Sequence, residues 1–75
     1  MPQSKPRTAE DVKNNPIAED VARKGKNTRD VISTRPLGLT GIEVRYRVNG
    51  KRILECWIST WREWARDAEV IHVAE

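Results

Sequence analysis

Seventy-five residues and 8.6 kDa leave room for one small domain, in which 37% of residues are hydrophobic, 33% are charged and only Tyr46, Trp57, Trp61 and Trp64 are aromatic. Fourteen Lys and Arg against eleven Asp and Glu give a net charge of +3 and a pI near 9.4. The length excludes an enzyme built on a doubly wound sheet or a barrel, and the lone Cys56 excludes a disulfide scaffold.

The chain divides in composition after Pro36. Residues 1–36 hold nine of the 28 hydrophobic residues and no aromatic, with eight Lys/Arg against five Asp/Glu. Residues 37–75 hold the other 19, with six charges of each sign. All of the positive excess lies where a core is hardest to build, which predicts a basic, partly disordered tail over 1–36 and a mini-domain over 37–75. Within the tail, Thr8 with Asp11 three positions later opens a short turn over Ala9–Asn14. Asn15-Pro16 reads as an N-cap with proline at the first helical position, and Gly25 as a left-handed stop. The helix so predicted over 16–24 is too short to persist alone and is expected to be transient. Residues 26–36 read as a linker with a short extended piece at Val31-Ile32.

The second half shows stronger patterns. Ile42-Glu43-Val44-Arg45-Tyr46-Arg47-Val48 alternates apolar and polar residues, the period of a strand. Asn49-Gly50 signals a tight hairpin turn, and Lys51–Ile58 is the returning strand. Thr60 with Glu63 forms a capping box ahead of a helix over 61–68, whose apolar stripe is Trp61, Trp64, Ala65 and Ala68. Val70–Val73 reads as a last strand. The expected fold class is α+β: a small antiparallel sheet made of the hairpin 42–58 and the strand 70–73, packed by one helix, in the order ββαβ. About 40 residues without disulfide or metal bury little surface, so this piece is expected to be marginal unless the 16–24 helix or a second copy supports it.

A two-residue turn sets Val48 opposite Lys51 and Arg47 opposite Arg52. Arg45, Arg47 and Arg52 then share one sheet face, with two like charges directly opposed, an arrangement that costs stability unless an anion relieves it. Leu54, Cys56 and Ile58 fall on that same face, which calls for a bulge near Leu54-Glu55 or for something covering that end of the sheet. For the tryptophans, a core role is favoured over base stacking, with one of Trp57 and Trp61 partly exposed at the sheet end.

Catalytic chemistry is not apparent in the sequence. His72 is the only histidine, and no spacing ties it to Cys56 or a serine. One Cys and one His cannot complete a zinc site, and Leu37-Gly38-Leu39-Thr40-Gly41 lacks the lysine and spacing of a phosphate loop. A non-enzymatic binding protein is therefore expected, with no catalytic residue, metal or cofactor. The candidate binding residues are Arg45, Arg47, Lys51 and Arg52 on the hairpin and Arg23, Lys24, Lys26 and Arg29 in the tail. The first reading is contact with nucleic-acid phosphates, DNA or RNA, through hairpin and tail. The alternative is a protein-binding inhibitor or adaptor that docks on an acidic protein surface; a homodimer is a third. In size and layout alone, the chain is similar to small regulators encoded by phages and mobile elements, for which the protein target would be a host transcription or defence enzyme. No apolar stretch reaches the roughly 20 residues of a membrane span, and Met1–Pro6 lacks a signal-peptide core. A cytoplasmic protein without a membrane partner is expected.

Overall fold

Burial of a single tryptophan organises this chain, and each element can be placed by its relation to it. The computed structural model describes residues 6–75. Their elements are α1 (Ala9–Asn14), β1 (Val21–Lys24), β2 (Asn27–Leu37), β3 (Gly41–Val48), β4 (Arg52–Trp57), α2 (Ile58–Ala65) and β5 (Glu69–His72). The strands form one antiparallel sheet in the order β4-β3-β2-β1-β5. Alternation along β3 sends Val44 and Tyr46 to one face, where Trp61 of α2 covers them together with Val31 and Ala65. Trp61 is fully buried, 5.9 Å from the Tyr46 ring and 5.4 Å from Trp64 between ring centres. Its indole N–H donates to the Val12 carbonyl at 3.0 Å, so the polar end of the side chain is satisfied inside the core.

That same bond docks α1 on α2. Arg62 Nε donates to the Asn14 carbonyl and Lys13 Nζ to the Arg66 carbonyl, which holds a six-residue helix too short to stand alone. Asp11 accepts the Thr8 N–H at 2.8 Å, half of a capping box at the start of α1, as its spacing predicts.

The α+β class, the antiparallel hairpin, the helix packed on it and the C-terminal strand agree with the sequence. The ββαβ order does not. Residues 16–24, expected as a transient helix, are a loop followed by β1, and residues 26–36, expected as a linker, form most of β2. The helix is stopped at Glu19, whose φ of +78° is left-handed, and by Asp20, whose carboxylate accepts the Ile17 N–H instead of starting a helical turn. Gly25 takes φ +62°, but in the turn between β1 and β2. The helix expected from Trp61 starts three residues earlier, at Ile58, with Thr60 inside it.

The hairpin register also differs by one residue. Asn49 and Gly50 both adopt positive φ and Lys51 N–H donates to the Val48 carbonyl, as a tight turn requires. Pairing resumes at Val48↔Arg52, leaving Lys51 in the loop. A one-residue slip carries every side chain of β4 to the opposite face. Leu54 and Cys56 therefore stand beside Tyr46 and Val44 on the helix-covered face, which removes the need for a bulge in β4. The opposed Arg47–Arg52 pair does not form: Arg47 faces Ile53, and Arg52 faces Val48 on the other side of the sheet.

Candidate functional site

The uncovered face of the sheet carries a series of cross-strand ion pairs. Arg45 meets Glu55 at 2.7 Å, Arg35 meets Glu43 at 3.1 Å and Arg23 meets Glu69 at 2.8 Å. Glu55 raises the pKa of the Arg45 guanidinium through its hydrogen bond and its charge. Two of the eight candidate residues, Arg45 and Arg23, thus already hold a carboxylate. Trp57 and Ile53 flank Glu55 along β4 and lie about half exposed, at 53% and 54%. Trp57 lies over Gly41, where a Cβ would come within 2.7 Å of its ring; the missing side chain makes room for the indole.

The other candidates converge elsewhere. In an antiparallel meander the β1–β2 and β3–β4 turns lie at the same end of the sheet, and Asn49 staples them together. Its N–H donates to the Thr28 carbonyl at 2.9 Å, its side-chain oxygen accepts the Thr28 N–H at 2.9 Å, and its Nδ2 reaches Asn27 Oδ1 at 3.4 Å. Lys24 and Lys26 from one turn and Lys51 and Arg52 from the other are thereby gathered at one end. Among the described residues none of these four forms an ion pair. Arg47, one position from the turn on β3, and Arg29, two from the start of β2, extend the cluster on opposite faces. Sequence spacing alone does not bring residues 24–29 and 47–52 together, because residues 26–36 have the composition of a linker and not the alternation of the strand that joins them.

Reactive groups lie far apart. Cys56 belongs to β4 and His72 to β5, the two edges of the sheet, with three strands between them. At about 4.8 Å per strand that is on the order of 19 Å. Burial pushes the Cys56 thiol pKa up, against the opposing charge of Arg29, and so favours the less nucleophilic protonated form. Burial likewise raises the Tyr46 phenol, again opposed by Arg29.

A second polar cluster lies where Arg7 meets Ala74, near the two ends of the described residues. Asp20 is fully buried and accepts four hydrogen bonds: from Arg7 Nη1 at 2.6 Å, Arg7 Nη2 at 2.8 Å, the Ile17 N–H at 2.8 Å and the Ala74 N–H at 2.8 Å. Burial alone would raise its pKa, but the hydrogen bonds from Arg7, Ile17 and Ala74 and the Arg7 charge together hold it below the ordinary aspartate range. Arg7 also donates to the Ala74 and Asn15 carbonyls. Nothing in the sequence singled out this pair, whose members are thirteen residues apart. The described residues contain no helix long and apolar enough to cross a membrane. Comparison with protein-family models, curated proteins and solved structures finds no match to this chain.

Proposed function

We propose that the chain is a small non-enzymatic binding protein that contacts nucleic-acid phosphates through the basic end of its sheet. The observation that carries this reading is the stapled pair of turns, which presents Lys24, Lys26, Lys51 and Arg52 with no carboxylate partner among the described residues. Because the two turns are already stapled, little backbone ordering is needed for these cations to meet a phosphate together, and counterions are released when they do. A cytoplasmic setting accords with this, since it offers nucleic acid and keeps an unpaired cysteine reduced.

Anisotropy of a labelled random-sequence duplex and single strand, measured across salt concentrations, tests the reading. Four phosphate contacts predict a log–log slope of about −3 to −4. Affinity indifferent to salt overturns it.

A protein-binding inhibitor or adaptor is the second reading, favoured by one observation: the uncovered face carries Ile53 exposed opposite Arg47 and Trp57 exposed further along β4, opposite Glu43. Tryptophan and arginine together are typical of interface hot spots. A partner on this face, whether an acidic protein or a second copy, would perturb the Trp57 indole resonance and leave Lys26 and Lys51 unmoved. Nucleic acid at the sheet end would do the reverse.

A further inference from the structure

Arg29 occupies an unusual position on the helix-covered face. It pairs with Val48 on one side and Ala22 on the other, next to the turns, and its side chain lies between two aromatic rings. The guanidinium carbon is 4.5 Å from the Tyr46 ring centre and 4.2 Å from that of Trp64. Stacking engages the flat faces of a guanidinium, whereas its five N–H bonds radiate in the plane and require acceptors. Nη1 is buried with no hydrogen-bond partner, and no carboxylate comes within ion-pair distance of Arg29 among the described residues.

A second cation uses the same indole. Lys24 Nζ lies 5.5 Å from the Trp64 ring centre. Both side chains line an open depression of about 530 Å³ whose other walls are Thr60, Glu63, Arg66 and Asp67. Three cations against two carboxylates leave this lining with a single positive charge in excess. That balance suits a monoanion, because Glu63 and Asp67 penalise a second negative charge. A phosphodiester carries one charge and presents two oxygens to a guanidinium fork; a terminal phosphate at neutral pH carries nearly two.

We propose that this depression seats one phosphodiester group of a nucleic-acid strand, with the Arg29 fork and Lys24 donating to its oxygens. The inference rests on the reading of the adjacent basic end as a nucleic-acid interface and extends that interface around the corner of the sheet. Because Nη1 is buried, side chains lining the depression must shift for a phosphate oxygen to reach it, while Tyr46 and Trp64 remain against the guanidinium. The strand backbone would then run from Lys51 and Arg52 across Lys26 into the depression.

The test is an NMR titration of the full chain, following the Arg29 Nε–Hε signal and the Lys26 and Lys51 amides. The probes are dimethyl phosphate, inorganic phosphate, and a 12-nucleotide single strand and duplex. The expected result is saturable movement of the Arg29 signal with dimethyl phosphate and with an oligonucleotide, and a weaker response to inorganic phosphate. R29K keeps the charge and loses the fork, and should weaken oligonucleotide binding about tenfold; K24Q should reduce the salt slope by about one. If Lys26 and Lys51 move with the oligonucleotide while Arg29 stays still, this inference fails and the nucleic-acid reading stands. If neither oligonucleotide moves any of the three, both fail. A response of Arg29 to dimethyl phosphate but to neither oligonucleotide overturns the strand as its source, and the proposed function then stands or falls with Lys26 and Lys51.

Discussion

Arg7 and Arg29 are the same residue in opposite circumstances. Arg7 lies against Ala74, and its guanidinium is bonded to both oxygens of a buried carboxylate and to two main-chain carbonyls. Arg29 lies at the basic end, held by two aromatic faces, with a buried nitrogen that bonds to nothing. Where a fold supplies in-plane acceptors, a guanidinium fixes structure. Where it supplies only rings, the side chain is oriented but its donors are left for another molecule.

The contrast is broken most completely by removing both arginines at once. A fragment of residues 37–75 loses β1 and β2, and β5 is attached to the sheet only through β1, so a two-strand hairpin and one helix remain. Circular dichroism should show no cooperative melting transition; a fragment that melts with the full chain would contradict the fold's dependence on its first half. Next in size is Asp20→Ala, which leaves Arg7 without its buried counter-charge and should cost about 3–5 kcal/mol in urea unfolding. Loss below 1 kcal/mol would show that water replaces the carboxylate and that the clamp is not structural.

Acid sharpens the same contrast. Because Asp20 titrates lower in the folded chain than in the unfolded one, its contribution is complete above the ordinary aspartate pKa and disappears as the pH falls through the folded value. The wild type should therefore lose stability steeply at the acid end, and Asp20→Asn should flatten that part of the profile. The smallest expected effect is that of Arg29→Leu on stability. Loss of stacking worth about 0.5–2 kcal/mol is offset by relief of an unmade hydrogen bond worth about 1–3 kcal/mol. Unfolding midpoints should move little while oligonucleotide affinity falls. Destabilisation as large as that of Asp20→Ala would make Arg29 a structural residue like Arg7.

How much of this was visible in the sequence follows from where each element gets its stability. β3 alternates because one face is buried, so Ile42–Val48 reads as a strand without any neighbour being known. β1 is four residues long and is held by β2 and β5, so the signals that flank it, Asn15-Pro16 and Gly25, suggest a helix instead. The turn was read correctly in conformation and incorrectly in register, because Asn49 bonds to Thr28 on a third strand that a two-strand argument omits. The candidate site was legible as a set of residue types. Which of them keep a free charge depended on that one-residue slip, which brought Arg45 to Glu55 and left Lys51 and Arg52 at the tip. The tryptophans read as core as a group, because with no Phe and one Tyr little else is large enough; the pattern leaves open whether Trp57 or Trp61 is the exposed one, and the slip makes it Trp57 by moving that residue to the other face.

Arg7 has a further consequence. By donating to the carbonyl of Ala74, it places the two ends of the described chain within one side-chain length of each other. Residues 7–74 are therefore suited to closing into a ring with a short peptide and reopening at the β2–β3 loop, where Leu39 is fully solvent-exposed. Such a permutant would make β3 its first element and keep both halves of the basic end joined, so its affinity for a polyanion should match that of the natural order.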